Sequence, residues 1–327
     1  MPTEKQQFSA FEKQVDAIVD DAVKKLTRLI SQSKKKVGFD LSHPSIKPHA
    51  AKILKEFYRN LNRFITATSN QRWVNAERIL KAKVKDVAVK SGMTETAIRS
   101  AFAYNPIQFK EFIARTQGGK QLSDRVWNIT KQLRFEFEYA VDTGIRNGLP
   151  AAEISRDIRK YLKEPDKLFR RVRGDDGKLR LSKAAKAYKP GRGVYRSSYK
   201  NAMRLARTET NMAFHEATFK KVQTLDFVVG IRIETSTNHP IPDMCDLLAG
   251  EYPKDFKFTN WHPNCRCHEI TIHKTDAEFL KGKDWKGVSV NTVKDVPEAF
   301  KNYVRNSSAN VKKTYFWQDN QKYVSNL

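Results

Sequence analysis

The sequence predicts a mainly α-helical protein with a small α+β module toward its C-terminal end: long helices, then one more helix and a β-hairpin carrying a Cys/His loop. Three observations carry this. Apolar residues recur at three- or four-residue steps through most of the first 165 positions, the period of an amphipathic helix. The pattern turns to alternating β-branched residues only at FVVGIRIET (227–235) and HEITIH (268–273). All three cysteines, Cys245, Cys265 and Cys267, lie between those two segments. The chain divides on this basis into a helical N-terminal region (1–120), a central region holding the module (121–275) and a basic, aromatic C-terminal tail (276–327).

The elements follow in order. Residues 7–32 place Phe11, Val15, Ile18, Ala22, Leu26 and Ile30 on one helix face. SKKKVGFDLSHPSIKP (33–48) breaks the pattern with a basic run, a Gly and two Pro. A second helical segment runs from about 50 to 87, with Ile53, Phe57, Leu61 and Ile65, a break near Thr68, then Trp73, Ile79 and Leu80. Packing and contact with a second copy are sufficient uses for these helices. From Leu122, the residues Val126, Ile129, Leu133, Phe137 and Val141 form one face of a helix ending at Gly144 or Gly148. Ile154, Ile158 and Leu162 give a shorter helix stopped by Pro165. A long helix from about Ser198 to Thr224 carries small residues (Ala206, Ala213, Ala217) that permit close packing. The two β segments are expected to pair, with the cysteine loop between them. The tail ends in an aromatic cluster (Tyr315, Phe316, Trp317, Tyr323) suited to docking.

Charge narrows the partners. The chain has 327 residues and a formal net charge of +25. Residues 166–207 hold 14 Lys/Arg against 3 Asp, so nearly half the excess lies in about an eighth of the chain. Arg170, Arg171, Arg173, Lys178, Arg180, Lys183, Lys186, Lys189, Arg192, Arg196 and Lys200 are the candidate phosphate contacts, with Tyr188, Tyr195 and Tyr199 among them to stack on bases or cover sugars. A solvated loop kept soluble by its charge is the alternative. No run approaches the roughly 18 apolar residues of a membrane span, and MPTEKQQFSAFEKQ has no apolar core of a secretory signal. A membrane protein and a classically secreted one are therefore not expected.

The residues that carry chemistry sit in STNHPIPDMC (236–245) and WHPNCRCH (261–268). Zinc takes thiolate and imidazole in a tetrahedral shell, and Cys245, His262, Cys265 and Cys267 supply a Cys3His set. The two residues between His262 and Cys265 let a tight turn present both. Cys265 and Cys267 form C-x-C, which points both to one face of an extended segment but needs a bend for both to reach one metal. His268 is an alternate for either of them, and His239 for Cys245. Free buried thiols, or a disulfide from Cys245 to one of the pair, are the competing readings, and three cysteines form no disulfide framework. A Cys–His nucleophile is disfavoured because so short a turn builds no oriented triad. Upstream, Arg204, Arg207 and Glu209 mark a polar helix face, which either holds the cysteine loop or an anion or forms a buried ion-pair network.

The order LARTETNMAFHEA, a strand, PDMCDLLAG, HPNCRC and a closing strand resembles the Mu F-like phage head morphogenesis family, the minor head proteins. The lead-in VWNITKQLRFEFEYAVDTGIRNGLPAAEISRDIRKYL and GRGVYRSSYKNAMR resembles it too, so the likeness covers about 121–275. Many members look like C-x-x-C where this chain has Pro242 and Cys245, which puts a four-thiolate shell in doubt and favours His262 as the remaining ligand. The resemblance implies a low-copy virion component, made in the bacterial cytoplasm and housed inside the capsid near the portal. Its partners would be the portal protein, other capsid components and non-specifically bound DNA, with a homo-oligomer through the N-terminal helices as an option and no membrane. It also implies a structural Zn2+ and no enzymatic activity. A virion-delivered metal-dependent nuclease or toxin, and a zinc-stabilised nucleic-acid-binding protein unrelated to phage, are the alternatives.

Overall fold

A computed structural model describes residues 4–31, 41, 44–146, 148–165, 171–173, 179–181, 194–236, 242–282, 285 and 287–325. The chain is mainly α with one small antiparallel sheet toward the C-terminus, the predicted class. It divides into two compact units, Met1–Ile65 with Gly119–Ala206, and Thr66–Gly118 with Arg207–Leu327. Among the described residues, no helix is long and apolar enough to cross a membrane.

The first unit is a helical bundle. It contains α1 (Glu4–Ser31), the first part of α2 (Lys47–Lys90), α5 (Leu122–Arg146), α6 (Ala151–Lys163), a two-stranded ribbon of β1 (Arg171–Arg173) and β2 (Leu179–Leu181), and the start of α7 (Ser198–Gln223). Val15, Val19, Val23 and Leu26 of α1 are buried, as are Leu54, Phe57, Leu61 and Ile65 of α2. Val126, Leu133, Phe137 and Val141 of α5, and Ile154, Ile158 and Leu162 of α6, complete the core. At each point these are the apolar positions of a helical period or their immediate neighbours.

The N-terminus of α7 is seized by a buried carboxylate. Glu136 of α5 accepts hydrogen bonds from the Ser198 backbone N–H (3.0 Å), the Ser198 hydroxyl (2.6 Å) and the Gln132 amide (2.8 Å). Negative charge at a helix start meets the unpaired N–H groups and the positive end of the helix dipole. Ser197 caps the same turn, accepting from the Lys200 N–H at 3.1 Å.

The predicted break near Thr68 is absent: α2 is continuous over 44 residues. Ser69 and Ala76 are buried on either side of Trp73, so small residues continue the stripe where a search for large apolar ones finds a gap. The pattern gave no notice of α3 (Glu95–Ala101) or α4 (Pro106–Ala114). Both carry start signals: Thr94 caps α3 by accepting from the Ala97 N–H (3.2 Å), and Asn105 caps α4, which has Pro at its first position.

The second unit contains the rest of α2, α3, α4, the rest of α7 and a three-stranded sheet ordered β4 (Gly250–Pro253), β3 (Val228–Glu234), β5 (His268–His273). The two expected strands pair antiparallel, Ile231 opposite Thr271 and Glu234 opposite His268. The unexpected β4 lines the other edge of β3. Gly230 permits close packing here, since a Cβ on it would lie 2.6 Å from the Val293 side chain.

Residues 276–325 are not a separate docking tail. They form α9 (Asp276–Phe279), α10 (Glu298–Asn306), a 3-10 turn (Ala309–Lys313), α11 (Tyr315–Gln318) and α12 (Gln321–Val324). Phe300, Val304, Phe316 and Val324 enter one core with Tyr252, Phe256, Phe258 and Trp261. The Phe256 and Phe300 rings meet edge-on at 5.4 Å, and Trp261 meets Phe316 at 5.4 Å. Asn320 ties the chain end to the sheet side by accepting from the Lys257 N–H and donating to the Lys257 carbonyl.

After β5, Glu278 clamps the connection. Its carboxylate accepts from the Ser289 hydroxyl (2.7 Å) and from the Val290 and Thr275 N–H groups. Those bonds, that from Ser289 foremost, hold its pKa down to about 2, against the effect of burial.

Two outcomes follow. Glu136→Ala strands the start of α7 and is expected to lower stability by about 2 kcal/mol, read as a drop in the urea midpoint of the α-helical signal. Because Glu278 titrates lower folded than unfolded, its contribution is complete above the ordinary carboxyl pKa of 4.5 and is lost as pH falls from there toward about 2. Ser289→Ala should shrink that acid-labile share in denaturation curves taken across this window.

Candidate metal centre

Cys245 is set by a short helix. In α8 (Met244–Leu247) Asp243 is the N-cap, and a reciprocal capping box joins it to Asp246. Asp243 Oδ1 also accepts from the Cys245 N–H at 2.7 Å. The second piece is the turn His262-Pro263-Asn264-Cys265, closed by the Cys265 N–H donating to the His262 carbonyl at 3.1 Å. Pro at the second position and Asn264 at φ 64 give it the make-up of a type II turn. Asn tolerates that left-handed backbone better than other non-glycine residues.

These pieces bring ligand atoms together. Cys245 Sγ lies 3.0 Å from His262 Nε2 and 3.8 Å from Cys265 Sγ. The ligand atoms of Cys245, His262 and Cys265 all fall within 4.8 Å of one another, a group that could hold a metal ion. Both thiols are buried, while His262 remains partly exposed. His262 Nδ1 faces the Pro263 carbonyl at 2.8 Å. A carbonyl only accepts, so Nδ1 is the donor in this contact, and Nε2 is the ring nitrogen turned toward the sulfurs. This is the outer-shell arrangement that orients a ligating histidine.

Cys267 is buried beside the group but lies outside its close set of three. C-x-C does turn both thiols inward, with Arg266 exposed between them. The three thiols bond to one another. Hydrogen bonds from Cys245 and Cys267, with the Trp261 and Cys267 backbone assisting, pull the Cys265 pKa down to about 2. Hydrogen bonding to Cys265 and Cys267, with burial, pushes the Cys245 thiol up. Cys267 is drawn down by Cys245, but Cys265 and burial push it up overall. One thiolate held by two thiol donors is a preformed start for a cation site, since the thiolate is the ligating form. All three cysteines are free, so the structure contains no disulfide among them.

The turn is held by α7. Asn211 donates through Nδ2 to the Cys265 carbonyl (3.1 Å) and to Asn260 Oδ1 (2.8 Å). Thr208 Oγ1 accepts from the Asn264 N–H at 3.3 Å. One turn further, His215 faces the Glu269 carboxylate of β5 at 3.2 Å, both side chains buried.

The remaining predicted residues separate. His268 is not brought to the site; it sits on β5, where its partner Glu234 is 3.6 Å away. His239 lies outside the described residues. Glu209 is buried and pairs with Arg115 Nη2 at 3.0 Å, so its role is in the helix packing. Arg204 lies over the Tyr195 ring at 4.9 Å. The polar face that holds the loop is made instead by Thr208 and Asn211, with Arg207 beside them in sequence. Asn211, four residues after Arg207 on the same helix face, was the available signal.

In the basic segment, Arg171, Arg173 and Arg180 fall on the β1–β2 ribbon, where Val172 pairs with Arg180. Arg196 and Lys200 flank the start of α7, partly exposed. Arg170, Lys178, Lys183, Lys186, Lys189 and Arg192 lie outside the described residues. No family model, curated protein or solved structure matches the chain.

Replacing Asn211 with Ala removes both amide bonds from a buried turn. The expected loss is about 1–2 kcal/mol of stability, together with at least a tenfold faster loss of bound metal to a competing chelator. Wild-type metal retention in Asn211→Ala would separate the helix clamp from the site.

Proposed function

We propose that this chain is a minor head protein of the Mu F-like head morphogenesis type, a low-copy, non-enzymatic virion component. The observation that carries the reading is the convergence of Cys245, His262 and Cys265 on one point beside an antiparallel β3–β5 pair. Those residues belong to the two stretches, PDMCDLLAG and HPNCRC, on which the resemblance rests. The ion they favour is zinc, because two thiolates and an imidazole in a buried, closed setting match its structural ligand preference. Cys267 is the candidate for the fourth ligand, since its buried thiol bonds to both partner thiols. Zinc there fastens the α8 segment to the His262 turn as a cross-link.

In this reading the protein is made in the bacterial cytoplasm and enters the capsid beside the portal. The basic segment 166–200 lies against DNA during packaging or ejection, through contacts that are blind to sequence. Neither role requires a catalytic residue.

One feature favours a second reading, a metal-dependent nuclease or toxin carried in the virion. Asp243 Oδ2 lies 3.2 Å from His262 Nε2, so a carboxylate stands beside the candidate site. A catalytic zinc leaves one position for water and uses such a group as base. That reading requires nucleic-acid cleavage abolished by Asp243→Asn.

Protein purified without chelator is expected to contain close to one zinc per chain, falling strongly in Cys265→Ser and His262→Ala. Content well below one in the wild type sinks the zinc assignment. Removing the metal should lower the thermal midpoint of the second unit, since binding energy of this kind is folding energy. Copurification with the portal protein encoded beside it tests the assembly role, and its absence from portal-containing particles overturns that role.

A further inference from the structure

The exposed face of α2 within the first unit is lined by cations. Lys52, Lys55, Arg59 and Arg63 follow one another at three- and four-residue steps and are all exposed. None of them has an ion-pair partner among the described residues. Glu56, the one acid in this part of the helix, is taken by Lys25 of α1 at 2.6 Å. Like charges four apart on a helix repel, so Lys55–Arg59–Arg63 is unfavourable twice over in the free protein. Packing does not require it, because the buried stripe of Leu54, Phe57, Leu61 and Ile65 faces the other way.

A second observation lies at the edge of this row. Tyr58 is half-buried between the apolar stripe and the cations. Against its ring stands Trp127 of α5, edge-on, with centroids 5.7 Å apart at 83°. Trp127 is 47% exposed, an unusual position for the most costly ring to hydrate. One turn along α5 comes Lys131, also exposed and without an ion-pair partner among the described residues. An uncompensated row of cations bordering an exposed, edge-braced indole is the combination that grips a nucleic-acid strand: charge along the phosphates, a flat ring for a base.

We infer that this face of the first unit binds single-stranded nucleic acid, with Lys55, Arg59 and Arg63 on the phosphates and Trp127 stacked on an unpaired base. A duplex offers the phosphates but no free base face, so it engages the cations alone. The proposed contacts are residues outside the basic segment 166–200, and the inference does not rest on the phage reading.

The test uses the full-length protein and a fluorescent thirty-nucleotide oligo(dT), with anisotropy read at several salt concentrations. Lys55→Gln/Arg59→Gln/Arg63→Gln should weaken binding and reduce the log–log salt slope by about 2, the share of three single-strand phosphate contacts. Trp127→Ala should weaken oligo(dT) binding roughly tenfold while leaving binding of a thirty-base-pair duplex unchanged, and Trp127→Phe should restore most of the loss. Lys131→Gln, which disturbs no packing, should weaken binding of both; far-UV circular dichroism confirms that each variant is folded. Oligo(dT) affinity and salt slope equal to wild type in the triple variant overturn the inference, as does equal loss of duplex and oligo(dT) binding in Trp127→Ala. If only a neutralised 166–200 segment loses DNA, the basic-segment assignment stands and this one fails. If the α2 variants alone lose oligo(dT), this one stands without the other.

Discussion

A turn built from His, Pro, Asn and Cys, with only the Cys265 side chain buried, has little with which to hold itself. It has no apolar side chain to bury, and its backbone groups must be paired or remain a cost of about 1–3 kcal/mol each. In this chain one bond is internal, from the Cys265 N–H to the His262 carbonyl, and one helix supplies two more: Asn211 takes the Cys265 carbonyl and Thr208 takes the Asn264 N–H. With the turn fixed, the Cys265 sulfur is fixed, and with it the distance to Cys245. The helix in turn starts where Glu136 captures Ser198. The geometry of the His262 turn therefore rests on Thr208 and Asn211 of α7 together with the turn's own hydrogen bond.

The parts of the fold that sequence made legible are those dictated by local periodicity. The stripes of α1, α5 and α6, the limits of α7 and the pairing of 228–234 with 268–273 needed only the residues themselves. The misreadings arise where an outcome depends on a distant partner. Ser69 is buried because of what faces it, and no property of serine announces that. The aromatic residues of 300–324 look like a docking surface until Tyr252, Phe256 and Trp261 are placed against them. In the metal centre, composition identified the ligand types and the turn, yet it could not order the three thiols. That order is set by which sulfur receives hydrogen bonds from the others.

The charge of the chain divides in the same way. A net +25 read as one number points to a polyanion without an address. Individual cations are paired locally, as in Lys257 between Glu216 and Asp319, or Lys301 with Asp295, and the excess is carried by the others. Buried cations such as Lys221 are committed to structure, here to Glu77 and the Ala103 carbonyl. What distinguishes a charge available to a partner is exposure without an acid in reach, and composition cannot reveal that condition.

The union of residues 300–324 with the aromatic core has a consequence for biosynthesis. The cysteine loop is covered only when Phe316 and Val324 are in place, and Val324 lies 57 residues beyond Cys267. At about 5–20 residues per second that interval is roughly 3–11 s. Until then the nascent chain carries its three thiols unburied, and the wall of the second unit is missing from the ribosome-bound intermediate. The side chains of the candidate site are therefore made before the aromatic residues that complete the core around them.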